Sequence, residues 1–280
     1  MGTDDRSGLG RRDFLGAVGG VAVAAGLEGA AGAAVVPGIA GPGKPAPLVR
    51  FGGRSLRMAD LTHRLTRQFN FDPAHPRIAM ESVDGSGVKV GMKMHRIALI
   101  EHTGTHIDAP SHFGETLRSL GEIPVEDLVV PLAVVDISAR AARNNNAEVT
   151  PADLAAWEKR HGRLPDGCCV AIYSGWDPLA GGDRNQARRT HEMPAFGIAA
   201  ARWLVSARRV KGIAVDAMSI DAGEHIPDYP VHQFWLQSGR WGIEGITNLK
   251  AVPPVGALLV VGAAPIVDAT GMPIRAIALF

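Results

Sequence analysis

From residue 48 onward, short apolar runs alternate with clusters of glycine, proline and polar residues, and each run fits one secondary-structure element. Leu48–Phe51 and residues 54–58 flank Gly52-Gly53 and predict a small hairpin. Residues 59–65 continue as a strand end and loop. Residues 69–87 carry Pro73, Pro76, Gly85 and Gly87 and read as an irregular segment able to wall a pocket. Residues 92–100 are compatible with a strand, and the Val- and Leu-rich run 128–137 predicts a buried one. Thr150-Pro151-Ala152-Asp153 marks a helix start, with Thr as N-cap, Pro at the first position and an acid in the first turn; the helix runs to His161 and stops at Gly162. Residues 168–174 form a further buried strand ending at Gly175-Trp176-Asp177-Pro178, and 179–195 are polar and turn-rich. A helix over 198–208 precedes a strand over 212–217, and strands over 255–261 and 274–280 close the chain. Strand–helix alternation occurs only two or three times and several strands follow one another directly. That pattern predicts an α/β (mixed α+β) fold with a mixed sheet in a single domain. No internal repeat or second domain boundary is visible.

Residues 1–34 break the pattern. Arg11-Arg12-Asp13-Phe14-Leu15 precedes an apolar, Ala/Gly-rich run over 15–27, and Ala31-Gly32-Ala33 offers a small-residue cleavage site. The arrangement resembles a twin-arginine export signal, which addresses proteins exported already folded, so a periplasmic or secreted destination is expected. A plain Ala/Gly tail is the competing reading. The apolar run is too short and too glycine-rich for a stable membrane anchor. Residues 35–47 read as a flexible leader and 48–280 as the globular domain.

Composition narrows the partners. The chain has 280 residues, a formal net charge of +1 and no dense Lys/Arg block, which argues against nucleic acid and anionic membrane surfaces as partners; a small-molecule substrate is the partner expected. Thirty-four glycines and 19 prolines favour a loop-rich enzyme over a helical bundle. The two cysteines, Cys168 and Cys169, are adjacent, so buried strand thiols are expected rather than a disulfide.

The chemistry is concentrated in Glu101-His102-Thr103-Gly104-Thr105-His106-Ile107-Asp108-Ala109-Pro110-Ser111-His112-Phe113. On a regular helix Asp108 would lie about 240° round from His102, and Pro110 disfavours helix before it, so the segment is extended or looped. Fully extended, His102 and His106 would be roughly 13 Å apart, too far to share one ion at about 2.0–2.2 Å. The chain must therefore curl between them, and Gly104 is the residue that permits it. Two neutral imidazoles and a carboxylate are a common open set for a catalytic divalent ion, with positions left for water. Asp108 has a second oxygen able to reach a second ion. His112 is either a further ligand or, better suited to the bend at Pro110, a proton shuttle beside the bound water.

His102-Thr-Gly-Thr-His106-Ile-Asp108-Ala-Pro110-Ser-His112-Phe resembles the signature of the cyclase family of metal-dependent hydrolases, which includes bacterial kynurenine formamidases and isatin hydrolases. Asp60-Leu61-Thr62-His63 is similar to that family's opening motif, and Gly175-Trp176 and Asp216-Ala217-Met218-Ser219-Ile220-Asp221 to weaker landmarks. The resemblance spans residues 59–280. It implies a mixed-sheet or swivelling β/β/α architecture with helices packed around a central sheet or barrel-like core. It implies His102, His106 and Asp108 as metal ligands and His112 as the catalytic histidine. Two-metal members add a histidine and a glutamate twelve residues apart, matching His232 and Glu244, with Gln233 and His225 as competing candidates. The cofactor expected is Zn2+ or Mn2+, one or two ions per chain, and the assembly a homodimer or homotetramer.

The residues beyond the motif divide by role. His63 and Trp176 are candidates to touch substrate, while Asp216, Ser219 and Asp221 read as a strand-end loop satisfying its own backbone. The expected activity is hydrolysis of an amide-like carbonyl bond (formamide, cyclic amide or lactone) in a small aromatic molecule through a metal-activated water. Its rivals are a polyketide-type cyclase or dehydratase using the same site, and a metal-dependent binding protein without turnover.

Overall fold

The computed structural model describes residues 47–51, 53–67, 69, 76–83, 93–177 and 191–280. The expected export signal and all but the last residue of the leader lie outside the described residues, as does most of the polar segment 179–195. The strands are β1 (Leu48–Phe51), β2 (Arg54–Asp60), β3 (Ala79–Val83), β4 (Met94–Ala98), β5 (His106–Asp108), β6 (Val129–Asp136), β7 (Glu148–Val149), β8 (Cys169–Tyr173), β9 (Ala195–Phe196), β10 (Gly212–Val215), β11 (Trp241–Glu244), β12 (Ala257–Gly262), β13 (Gly271–Pro273) and β14 (Arg275–Leu279). The helices are α1 (Ser138–Ala141), α2 (Pro151–His161), α3 (Ile198–Ala207) and α4 (Pro230–Gln237), joined by short 3-10 turns.

Ten strands form one mixed sheet in the order β1-β2-β14-β12-β6-β8-β10-β11-β5-β13. The central four, β6, β8, β10 and β11, run parallel, and every flanking pair is antiparallel. Only Ile274 separates β13 from β14, so one bent stretch borders β5 at one end and β12 and β2 at the other. The sheet thereby curls back on itself into a barrel-like core, and the mixed α+β fold with a mixed sheet is as the sequence pattern predicts.

Period-two alternation sorts the strand residues between two apolar layers. Leu132, Val134, Cys169, Ala171, Ala214 and Ile243 face the barrel interior. Val135, Val170, Ile172, Ile213 and Val215 face outward, beneath Leu154 and Trp157 of α2, Leu204 of α3 and Trp235 of α4. Each Val, Leu or Ile among them, fully buried, contributes about 1.5–3 kcal/mol. The adjacent cysteines fall on opposite layers, both free, and burial raises the Cys168 thiol to about 12 and the Cys169 thiol as well.

The start of α2 follows its sequence signal. Thr150 accepts from the Asp153 backbone N–H, Asp153 accepts from the Thr150 N–H at 2.8 Å, and Gly162 ends the helix at φ 90°. Two predicted features differ. Ala79–Val83 is a strand paired with Met94–Ala98, although it sits in a stretch that reads as irregular; every residue of this hairpin is exposed, which leaves no in/out alternation to detect. Helix α4 and strands β5, β11 and β13 have no strong signal in the sequence because each is only three to eight residues long.

Gly212 pairs with Trp241 across β10 and β11, and a Cβ there would lie 2.1 Å from the indole Cζ3. The ring cannot swing away freely, because Trp241 is buried and its Nε1–H donates to the Asp127 carbonyl at 3.1 Å. Gly212→Ala is therefore expected to cost about 1–3 kcal/mol. Urea unfolding measures this directly, and an unchanged midpoint would contradict the packing described.

Candidate metal centre

Strand β5 is the frame of the site. It lies between β11 and β13, with Asp108 opposite Gly242 on one side and Gly271 on the other, and His106 opposite Glu244. Alternation sends Ile107 into the barrel core and leaves His106 and Asp108 together on the other face. The register thus brings Glu244 against His106 although 138 residues separate them, with Nε2 of His106 3.3 Å from Oε2 of Glu244 and 3.2 Å from Oδ1 of Asp108. The curl that the spacing demands is at Gly104, with φ +69°, and it brings the His102 and His106 ring centroids to 5.1 Å. A Cβ on Gly104 would sit 2.5 Å from Leu65 Cδ2, so both its backbone and its lack of side chain are used.

Helix α4 delivers His232. Asp221 accepts the backbone N–H groups of Val231 (2.7 Å) and His232 (2.9 Å) at the helix start, and the His232 Nδ1–H at 2.7 Å. This turns Nε2 of His232 toward Glu244 Oε1 (3.0 Å) and Asp108 Oδ2 (3.6 Å). Two ligand sets result, His102–His106–Asp108 and Asp108–His232–Glu244, each with donor atoms within 4.8 Å of one another, and Asp108 belongs to both.

The donor chemistry fits a divalent cation. His106 Nε2 and Asp108 Oδ2 are fully buried and make no hydrogen bond, a costly condition unless a cation completes them. Burial alone would depress the His106 imidazole, but Asp108 and Glu244 outweigh it and raise its pKa to about 10. Burial likewise opposes the charge on His232, and the carboxylates of Asp108, Asp221 and Glu244 around it raise it well above the ordinary histidine value. Asp108 is held below its usual range despite its burial, chiefly by the adjacent His106, by the hydrogen bond from His102 and by His232 beside it. Two buried carboxylates thus require positive charge between them, from protons or from metal.

His112 stands beside the ligands without belonging to either set. It sits in a 3-10 turn begun by Pro110, its ring stacked on His102 at 3.9 Å and edge-on to Phe113 at 4.9 Å. Among the described residues no hydrogen bond holds its ring. Burial, then the neighbouring His102 and His232, lower its pKa to about 4, so the imidazole is neutral and free to accept a proton.

The remaining candidates separate clearly. His63 is buried, 3.3 Å from Asp177 Oδ1, and its backbone N–H donates to Thr105 Oγ1 next to His106. Trp176 lies in the apolar layer beneath the helices, its indole N–H donating to the Glu192 carbonyl at 3.2 Å. His225 pairs with Glu148 at 2.9 Å, and Gln233 is exposed and donates to the Asp228 carbonyl, so neither joins the ligand sets. Asp216 accepts from Ser174 and from the Gly175 N–H, a loop-holding role. Asp221 does more than hold its own loop, because it aims His232. The aromatic rings beside His232 are Phe113 (5.0 Å) and Tyr229 (5.4 Å), half-buried residues whose role no local pattern in the sequence marks.

The Cyclase family model matches residues 59–222. The isatin hydrolase of Roseibium aggregatum is 30% identical over 193 residues, covering 65% of this chain and 73% of the relative. The kynurenine formamidase of Salinibacter ruber is 27% identical over 203 residues, 71% of this chain and 84% of the relative. Among solved structures, isatin hydrolase A from Labrenzia aggregata, bound to benzyl benzoate, superposes with a TM-score of 0.71 at 32% identity, covering 80% of this chain and 93% of that one. With the family model covering more than half of the chain and the motif histidines assembled in one place, the protein belongs to the cyclase family of metal-dependent hydrolases.

Proposed function

We propose that the protein is an amidohydrolase that opens the C–N bond of a small aromatic amide, either an N-formyl aniline or a lactam fused to an aromatic ring. The observation that carries this reading is the pair of ligand sets sharing Asp108, with His112 beside them and outside them. The named activities of the relatives support the amide class, and the Phe113 and Tyr229 rings offer flat apolar surface next to His232 for an aromatic substrate. We assign two ions per chain, Zn2+ or Mn2+, one to His102, His106 and Asp108 and one to Asp108, His232 and Glu244. When bound, such ions supply the Lewis acidity that polarises a carbonyl and makes water nucleophilic near neutral pH.

The protein's own groups handle position and protons. Asp221 fixes the tautomer of His232 and Gly104 the approach of His102 to His106. Neutral His112 takes a proton as water adds to the carbonyl carbon, and returns it to the nitrogen as the C–N bond breaks, leaving a carboxylic acid and an amine.

Two further expectations belong to the same proposal. The β3–β4 hairpin exposes Met80, Val83, Met94 and Ile97 and feeds directly into the motif, and a two-stranded ribbon is marginal alone, which supports a homodimer or larger assembly covering it. The twin arginines Arg11-Arg12 and the apolar run behind them support export as a folded protein.

The test is to incubate the purified protein, with Zn2+ or Mn2+ and after chelation, with formyl anilines, isatin and small lactones, and to record product masses. Gain of one water that disappears on chelation and returns with metal is the expected result. Loss of water would make it a dehydratase or cyclase, and metal-dependent binding without turnover a binding protein; either outcome overturns the proposal.

A further inference from the structure

The three ligand histidines do not face the site alike. His106 Nδ1 lies 3.0 Å from the Gly104 carbonyl, which can only accept, so Nδ1 keeps its proton and Nε2 is the nitrogen left for a cation. His232 follows the same rule, with Nδ1–H donating to Asp221. His102 is turned the other way. Its Nδ1 faces Asp108 Oδ1 at 2.7 Å, and its Nε2 lies 3.0 Å from Thr270 Oγ1, on a residue 168 positions away in sequence.

Asp108 Oδ1 can only accept, so in the metal-free site Nδ1 also offers it a proton, the one an entering cation would displace; which proton of His102 stays is decided on the Nε2 side. The Thr270 hydroxyl is 2.5 Å from Glu101 Oε2, and the Thr270 backbone N–H donates to the same oxygen at 3.2 Å. A carboxylate only accepts, so the single hydroxyl proton of Thr270 goes to Glu101. Thr270 Oγ1 is then left to accept, and the proton it accepts is the one on His102 Nε2. Gly271 completes the cradle: a Cβ there would lie 2.5 Å from His102 Cε1 and 3.0 Å from Nδ1, so the ring edge rests on bare backbone. The cradle is itself anchored, since the Ala109 N–H donates to the Thr270 carbonyl at 2.8 Å and Gly271 is paired with Asp108.

We infer that Glu101 and Thr270 are positioning residues that hold His102 in the Nε2–H tautomer, so that it meets the metal through Nδ1 while His106 and His232 use Nε2. The inference rests on the metal-site reading above. It makes half of the support for this ligand come from the far end of the chain, at the entry to β13.

Thr270→Val keeps the shape and removes the hydroxyl; Thr270→Ser keeps the hydroxyl. Zn2+ affinity measured by competition with a chromophoric chelator is expected to fall ten- to a hundredfold in Thr270→Val, the usual cost of losing an outer-shell partner, and to stay within about threefold of wild type in Thr270→Ser. Glu101→Ala removes the acceptor, letting the Thr270 O–H turn to His102 Nε2 and favouring the tautomer that blocks Nδ1, so a loss of about tenfold is expected there. Glu101 is 42% exposed, so this variant carries the test should Thr270→Val fail to fold. Ring-nitrogen NMR of isotope-labelled histidine in the Zn2+-loaded protein is expected to show His102 alone bound through Nδ1. Wild-type protein that takes up no Zn2+ overturns the metal-site reading itself. Wild type that binds Zn2+ while Thr270→Val and Glu101→Ala match it within twofold, or that shows His102 bound through Nε2, overturns the relay alone.

Discussion

Replacing His112 by alanine is expected to lower turnover at least about a hundredfold while leaving the metal content of the purified protein unchanged. The expectation comes from where the ring lies. It stacks on His102 at 3.9 Å yet shares no donor atom with either ligand set, and its partners hold it by packing rather than by hydrogen bonds. A ligand histidine needs its lone pair committed to the ion, whereas a proton carrier needs it free, and the lowered pKa of about 4 keeps it free. Because burial and two neighbouring histidines cause that lowering, a bound cation would add to it, and activity should show no falling limb near the ordinary histidine value of about 6.5. His112→Asn, which preserves polarity but cannot take up and return a proton, should be as inactive as the alanine variant. The two readouts are the turnover number on whichever amide the wild type opens, and elemental analysis of the same preparation. If metal and turnover vanish together, His112 is a ligand and the proton role is wrong.

The half of the site that lies in one stretch of chain is legible from its own spacing, and the other half only through the family resemblance, for a reason that lies in the strands. His102, His106 and Asp108 fall within seven residues, and their spacing alone requires a turn at Gly104. Glu244 reaches them only because β11 pairs antiparallel with β5 in a register that places it opposite His106. Trp-Gly-Ile-Glu is four buried residues with no alternation, and β5 is three residues long, so nothing local announces that pairing. His232 sits on an eight-residue helix that Pro230 begins and Asp221 caps from outside the element, a cap too remote in sequence to read as one. Helix α2 is readable because its cap, its proline and its closing glycine are all local. Trp176, a conspicuous aromatic near a motif, reads as a substrate contact, and the end of β8 places it in the apolar layer beneath the helices. Sequence separation, rather than chemistry, limits what the chain reveals on its own.

Asp108 is the residue on which both ligand sets depend, so Asp108→Asn is expected to abolish binding of both ions, where His232→Ala should spare the His102–His106 set and leave one. The isosteric amide keeps the volume and removes the charge that balances His102, His106 and His232 at 2.7, 3.2 and 3.6 Å. An affinity loss well beyond about a hundredfold follows, since that is already the upper end for an outer-shell partner. Elemental analysis after dialysis gives the stoichiometry, and thermal unfolding gives an independent check. Wild type at a hundredfold excess of Zn2+ over its dissociation constant should gain about 2.7 kcal/mol of stability for each ion bound, and Asp108→Asn none. The wild-type affinity should also weaken as pH falls. His106 is raised to about 10 and His232 is raised as well, so at neutral pH both hold protons that an entering cation must expel. Each proton released lowers the affinity about tenfold for every pH unit of acidification below the raised pKa values. In Asp108→Asn the largest source of that proton affinity is gone, and the metal-dependent stabilisation should be absent at every pH. Asp108→Asn protein that retains the wild-type ion count would sink the shared-ligand arrangement.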